Sequence, residues 1–432
     1  MHSFLEPAEA KRRILAGEYD GKLRQFYGFS GNVPASCRQR ITDAVDRFTE
    51  LYGERPLRIF SVSGRTELGG NHTDHQHGNV LAGGISLDMI AVAAKDDGSI
   101  MCVHSEGYPE DTVSLEETEP DPRKYGTSAA LLRGIAAGFR AHGRQVQGFA
   151  AYTVSDVLKG SGMSSSAAYE VMLCTICNDF FADGALSPAE TAKISQYAEN
   201  VYFGKPCGLM DQMACAQGGV CAIDFSDPEQ PVWRQVPLDL EKEGYALCII
   251  DSGADHADLT DEYAAVPAEM SAVAEQLGGR VLRDVPEEWF WAHLPELRRA
   301  CGDRAVMRAA HFYGDSARVV RQADALEQGR FSDYLEMVRE SGRSSVFALQ
   351  NIYASGSQTQ QAVAVTLALC EKLLGGEGAC RVHGGGFAGT VQAYVPAAKA
   401  EAFRTAVDRI LGAGACHVLQ IRACGAAALW DD

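Results

Sequence analysis

The stretch VLKGSGMSSSAA at residues 157–168 alternates glycines with small hydroxyl residues and leads into a helix-forming segment. Backbone N–H groups in such a loop converge on an anion at the helix N-terminus, where the helix dipole also favours negative charge. No Gly-Lys-Ser/Thr follows at the spacing of a Walker A loop. The stretch therefore predicts a phosphate-binding loop, with an ordinary capped loop as the alternative. Its candidate residues are Gly160, Ser161, Gly162, Met163, Ser164, Ser165 and Ser166.

The loop composition suits close approach of a phosphate. Gly160 and Gly162 lack the Cβ atoms that would keep a phosphate at a distance. The three serines at 164–166 are expected to cap the following helix, and Ser166 is a candidate oxygen ligand for Mg2+.

Composition limits the classes of protein that this chain can belong to. The chain has 432 residues, 46% of them hydrophobic and 22% charged, which is enough for two globular domains. A net charge of -18 argues against nucleic acid or an anionic membrane surface as a partner. Thirteen cysteines, with no signal peptide or transmembrane stretch, predict reduced thiols and a cytoplasmic location. No obligate protein partner is evident.

The pattern of elements predicts an α+β protein whose sites lie on loops between two domains. We expect an N-terminal arm over residues 1–35, a first domain over 36–230 and a second over 231–432. Arg58 to Val62 is predicted as a strand, and Met89 to Ala94 is predicted to form a hairpin with Ile100 to His104. A capping box at Ser187 predicts a helix start.

Three further segments carry residues suited to phosphoryl transfer, which needs a phosphate cradle, Mg2+, a cation and a carboxylate on the acceptor hydroxyl. They are SGRTELGGNHTDH at 63–75, CGLMDQM at 207–213 and GGGFAG at 384–389. Arg65 is a candidate for the cation, Asp211 for the carboxylate and Glu199 for the Mg2+ ligand. Each of these side chains has the alternative of being an ordinary solvated or turn residue.

The histidines of the first of these segments allow a different interpretation. His72, Asp74, His75 and His77 place four metal-binding side chains within six positions, as in some metal hydrolases. No second group of ligands stands out elsewhere in the sequence, so turn hydrogen bonds or contacts with sugar hydroxyls are the alternative.

Taken together, the four segments resemble the galactokinase branch of the GHMP small-molecule kinases. The family pattern G-R-x-N-L-I-G-E-H-T-D-Y matches 64–75 in part, and P-L-G-S-G-L-S-S-S-A matches 158–167 closely. The pattern A-E-x-x-F/Y-x-G-x-P-C-G-I-M-D-Q matches 198–212, and G-G-G-F-G-G matches 384–389 except at Ala388. Order and spacing agree over about residues 38–425.

The resemblance implies a two-domain fold, with a first domain like domain 2 of ribosomal protein S5 and a ferredoxin-like second domain. It implies transfer of the γ-phosphoryl group of ATP to the anomeric hydroxyl of a hexose, with Asp211 as the catalytic carboxylate and Arg65 as its cationic partner. The residues that the resemblance places at the sugar are Asn71, His72, Asp74, Gly208 and Tyr263.

Departures from the family pattern leave the substrate open. Asn71 stands where galactokinases carry a glutamate that binds the sugar, and Glu67 stands where they carry asparagine. A neutral amide donates as well as accepts hydrogen bonds, whereas a carboxylate only accepts. We therefore expect a kinase of galactose, with another hexose, a hexosamine or a uronic acid as the close alternative. A non-catalytic sensor of sugar and nucleotide is the second alternative.

Overall fold

The computed structural model describes residues 3–117, 119–157, 162–254 and 259–430. In these ranges the chain forms an α+β structure with two β-sheets, as predicted. None of the helices there combines the length and the apolar character needed to span a bilayer.

The first sheet takes strands from both ends of the chain. The order of its main strands is β12 (Ala427–Ala428), β1 (Arg58–Gly69), β2 (Asn79–Lys95), β5 (Phe149–Ser155), β3 (Ile100–Ser105) and β4 (Asp111–Ser114). Strand β2 also pairs with β6 (Val220–Asp224), and β6 pairs in turn with β7 (Val232–Val236). All of these pairings are antiparallel except that of β3 with β5. Two strands of this sheet, β7 and β12, come after residue 230. The sheet therefore does not by itself mark a boundary at that residue, and the division of the chain there stays a prediction.

Helices cover both faces of the first sheet because its central strands alternate between two sets of buried apolar residues. Ile59 and Val92 face helices α1 (Pro7–Leu15), α2 (Asp20–Tyr27) and α3 (Ala35–Tyr52). Phe60 and Ala91 face the other side. The helices on that side are α4 (Ser128–Ala141), α5 (Ser165–Ala182), α6 (Pro188–Tyr197) and α7 (Met210–Gln217).

The second sheet has the order β11 (Cys416–Leu419), β8 (Tyr245–Asp251), β10 (Thr390–Pro396) and β9 (Ala379–His383), all antiparallel. Its helices are α8 (Thr260–Gln276), α9 (Glu287–Ala292), α10 (Leu294–Cys301), α11 (Asp303–Glu327), α12 (Phe331–Ser344), α13 (Ala362–Leu374) and α14 (Ala400–Leu411). Residues from α13 and α14 pack on one face of this sheet.

A shared core joins the two sheets. Leu68 and Leu81 of the first sheet pack in one buried cluster with Leu247 and Tyr394 of the second, and Met163 of the glycine-rich loop belongs to the same cluster. Loops that leave this cluster therefore start from fixed points on both sheets, which positions the site described below.

Two local predictions differ from the structure. Strands β2 and β3 do not pair with each other as a hairpin, because β5 lies between them. The strand expected to end at Val62 continues to Gly69, with register shifts between Ser63 and Arg65 and between Glu67 and Gly69. The start of the 63–75 segment is therefore an irregular strand, and a bulged strand of this kind re-aims its side chains.

Candidate active site

Arg65 and Asp211 form the centre of the site. Arg65 lies beside the register shift in β1 and Asp211 lies in the first turn of α7. Arg65 Nε donates to Asp211 Oδ1 at 2.7 Å, and the Ser164 hydroxyl donates to Asp211 Oδ2. The Asp211 side chain is 31% exposed whereas that of Arg65 is 8% exposed, so the carboxylate stays accessible to a ligand.

The environment of Asp211 favours its ionised form. Burial raises the pKa of the Asp211 carboxyl, but the charge of Arg65 and the hydrogen bond from Ser164 lower it further, so the pKa lies below its ordinary value. The start of α7 adds the positive end of a helix dipole. Asp211 is therefore a carboxylate at neutral pH.

The glycine-rich loop is anchored on β1. Gly160 and Ser161 lie outside the described residues. Arg65 donates from Nη1 to the carbonyl of Gly162, whose φ is +70°, and from its backbone N to the carbonyl of buried Met163 at 3.1 Å. These contacts place the end of the loop directly against the Arg65–Asp211 pair.

The three serines take different places at the start of α5. Ser164 has a left-handed backbone (φ 57°) and its side chain makes no capping hydrogen bond, because it contacts Asp211 instead. The expectation that Ser164 caps the helix is therefore wrong. Ser165 is partly exposed and Ser166 is exposed, both in the first turn of α5. N–H groups of such a turn are suited to bind an anion.

Residues predicted to bind sugar lie against the 384–389 loop, or, for Asp74, against Gly208. His72 Nε2 donates to the carbonyl of Gly385 at 2.8 Å, and Tyr263 donates to the carbonyl of Gly386 at 2.7 Å. Burial lowers the pKa of His72, so this imidazole is neutral at pH 7. Asp74 lies so close to Gly208 that a Cβ at Gly208 would collide with Asp74 Oδ2.

Asn71 lies in a buried network behind these residues. Its Nδ2 donates to Glu67 Oε1 at 3.1 Å and to the carbonyl of Gly384 at 2.7 Å, and its Oδ1 accepts from Asn351 at 2.8 Å. Arg381 donates to the same Glu67 carboxylate. Asn71 is fully buried, so both amide atoms face protein rather than the accessible side of the site. Its role in sugar binding stays a prediction.

Glu199 belongs to a second polar group. The sequence singled out Glu199 as a candidate but not its neighbour Glu170. Gln212 Nε2 donates to Glu199 Oε2 at 2.9 Å and to Glu170 Oε2 at 3.0 Å, and Lys205 Nζ lies 3.1 Å from Glu199 Oε1. Burial, and then the charge of Glu199, raise the pKa of Glu170 well above its ordinary value. The signal for Glu170 was an acidic residue within the otherwise apolar run at 167–174 of helix α5.

The assignment of Ser166 and Glu199 as Mg2+ ligands stays a prediction. Within the described ranges, no direct contact is recorded between Ser166 and Glu199, which lie at the start of α5 and in the helical turn Ala198–Phe203. The metal-hydrolase interpretation gains no support in these ranges either, since no group of three or more His, Cys, Asp or Glu side chains there is suited to hold a metal.

Solved structures with this architecture include small-molecule kinases. Lactococcus lactis galactokinase, solved in complex with galactose, superposes with a TM-score of 0.76 over 90% of this chain and 99% of that one, at 22% identity. A mevalonate kinase superposes with a TM-score of 0.60 over 84% and 98%, at 12% identity. The fold is therefore that of the GHMP kinases.

Sequence comparisons then show to which family within the GHMP kinases the chain belongs. The family described as GHMP kinases N terminal domain matches residues 129–219, and the galactokinase galactose-binding signature matches residues 46–95. Galactokinase of Streptomyces coelicolor is 33% identical over 84% of this chain and 91% of its own length. A galactokinase of Actinobacillus pleuropneumoniae is 30% identical over 84% and 91%. The chain belongs to the galactokinase family and is a phosphotransferase that acts on a sugar.

Proposed function

We propose that this chain transfers the γ-phosphoryl group of ATP to the anomeric hydroxyl of galactose, giving galactose 1-phosphate and ADP. The observation that carries the proposal is the Asp211 carboxylate, held by Arg65 on one oxygen and by Ser164 on the other, at the mouth of the glycine-rich loop. A fixed carboxylate beside a phosphate-binding helix end is what phosphoryl transfer to a hydroxyl requires.

In the proposed step, Asp211 accepts the proton of the anomeric hydroxyl as the sugar oxygen bonds to the γ-phosphorus. The bond between that phosphorus and the oxygen bridging to the β-phosphorus breaks, and ADP leaves. Arg65 keeps Asp211 ionised before the step and lies where negative charge develops on the sugar oxygen during it. His72, Asp74, Gly208 and Tyr263 are the proposed sugar-binding residues.

The loop that includes Gly160–Ser166 is proposed to hold the phosphates of ATP through N–H groups at the start of α5. Glu199 and Ser166 are the proposed protein ligands of Mg2+. The fit of Glu199 is supported by its buried carboxylate, one oxygen of which already takes a cation, the Lys205 ammonium. Mg2+ in kinase sites is held by one or two protein groups plus substrate phosphates, and it neutralises charge on the transferred group.

A second candidate substrate is a related sugar: another hexose, a hexosamine or a uronic acid. The observation that favours it is the full burial of Asn71, which replaces the sugar-binding glutamate of the family. A site that loses a carboxylate acceptor discriminates differently among sugar hydroxyls, because each buried polar group must find a partner.

The test is ATP turnover over a panel of free sugars, with the product identified by phosphorus NMR as a sugar 1-phosphate. We expect the largest kcat/KM with galactose and loss of turnover in Asp211→Asn. A higher kcat/KM with another sugar of the panel would select the second candidate. Binding of sugar without phosphorylation of any would favour the sensor instead. The cytoplasmic location and the independence from protein partners stay predictions.

A further inference from the structure

Lys205 is a cation that the reaction described above does not use. It lies in the segment between the helical turn Ala198–Phe203 and α7, six residues before the proposed catalytic carboxylate Asp211. Its backbone N donates to the carbonyl of Glu199 at 3.2 Å and its Nζ bonds to the Glu199 carboxylate at 3.1 Å. Glu199 therefore binds both the backbone N–H and the side-chain ammonium of Lys205.

The pair between Lys205 and Glu199 is asymmetric. The Lys205 side chain is 61% exposed whereas that of Glu199 is 4% exposed. A long, exposed side chain thus reaches from solvent onto a buried carboxylate. Glu199 also accepts from the Gln212 amide, which contacts buried Glu170, and the Lys205 ammonium balances the charge of the buried Glu199 carboxylate.

Lys205 is also near the reacting groups. The Glu199 carboxylate that it contacts also accepts from Gln212, the residue that follows Asp211 in α7. Arg65 is already engaged by Asp211 through Nε and by Gly162 through Nη1. Lys205 has the freedom that Arg65 lacks, because most of its side chain is in solvent. An ammonium with three rotatable donors suits a phosphate oxygen.

We propose that Lys205 is a phosphate-binding residue that occupies the Glu199 carboxylate in the nucleotide-free protein and leaves it for the phosphates of ATP when a divalent cation takes that carboxylate. The inference rests on the proposed function in that Glu199 is the metal ligand there. It adds to that function a second cation at the phosphates and a reason why nucleotide would bind to a protein of net charge -18.

The proposal predicts two changes of opposite sign in Lys205→Met. Without nucleotide, the competing ammonium is gone, so affinity for Mn2+, measured by electron paramagnetic resonance, rises about tenfold. With Mg2+ present and no sugar, affinity for ATP, measured by calorimetry, falls about tenfold because a charge-assisted hydrogen bond is lost. Lys205→Gln is expected to show the same pair of changes, and it serves if the methionine variant does not fold.

The control is Lys399→Met, since Lys399 is similarly exposed, at 55%, but pairs at 2.7 Å with Glu377, whose carboxylate is exposed rather than buried. It should leave both affinities at the parental values. An unchanged or weaker Mn2+ affinity in the Lys205 variants, or an unchanged ATP affinity, would overturn the proposal. Both readouts are binding measurements, so they are independent of whether the parent protein phosphorylates galactose.

Discussion

The Asn71 amide donates to the carboxylate of Glu67, 3.1 Å away and four residues earlier in the chain, inside the buried interface between the two sheets. In the galactokinase pattern the same two positions carry the opposite residues, asparagine first and glutamate second. This chain therefore keeps one carboxylate and one amide and exchanges their places. The exchange conserves the formal charge of the two positions together, and Arg381 pairs with the carboxylate at position 67.

The exchange predicts strong coupling between the two positions. Asn71→Glu alone places a second carboxylate beside Glu67 and should destabilise the fold by about 3–5 kcal/mol. The double variant Glu67→Asn/Asn71→Glu removes that repulsion and should recover most of the loss, while shifting sugar preference towards galactose. Urea unfolding of both single variants and the double variant measures the coupling. Additive losses would mean that the two positions are independent.

Asp211→Asn should lower kcat by a factor of about 10² to 10⁴, because the amide cannot accept the hydroxyl proton. The KM for the sugar should change little, since the amide retains the size and the polar character of the carboxylate. Steady-state kinetics with saturating ATP tests this. A kcat close to that of the parent would remove Asp211 from the chemical step.

Arg65→Met should shift the acid limb of the dependence of kcat/KM on pH to higher pH. Arg65 holds the pKa of Asp211 below its ordinary value, so the parent keeps an ionised base as pH falls through the usual carboxyl range. Without Arg65, burial dominates, the pKa of Asp211 rises, and kcat/KM should fall at a pH higher by about one unit or more. Arg47→Met, which breaks an exposed pair with Glu50, should leave the profile unmoved. Coincident profiles for parent and Arg65→Met would contradict the assignment.

Gly208→Ala should weaken sugar binding, because the new Cβ collides with Asp74 Oδ2 and displaces that carboxylate from its position. We expect the KM for the sugar to rise about tenfold or more, as for loss of a hydrogen bond to a charged group. The matched control is Gly314→Ala in α11, where a Cβ meets nothing within 4 Å. Its KM should equal that of the parent. Equal KM values for both variants would show that Asp74 does not contact the sugar.

Local sequence signals predicted the parts of the fold that local interactions decide. The helix start at Ser187 is confirmed, with Ser187 and Glu190 forming the reciprocal capping bonds. The hairpin was wrong because strand neighbours depend on the whole sheet, and β5 enters between β2 and β3 from far along the chain. Spacing along the sequence carries no information on that insertion.

In the candidate site, too, local sequence signals do not predict contacts between residues that are distant along the chain. The proximity of Arg65 to Asp211 was expected from the family resemblance and is present in the structure. The link from Glu170 through Gln212 to Glu199 joins three helical segments, so no single motif contains it. The burial of Asn71 depends on Asn351 and Gly384, which the chain supplies only some 280 residues or more later.

The pairing of the short strand β12 with β1 affects how the chain folds during its synthesis. Ala427 and Ala428 cover the outer edge of β1, and the carbonyl of Trp430 accepts a hydrogen bond from buried Arg58 at 3.0 Å. During synthesis on the ribosome, β1 emerges long before these residues do, so its edge stays open to other chains until residues 427–430 have been made. Deletion of residues 427–430 should therefore promote aggregation of newly made protein rather than a loss confined to catalysis.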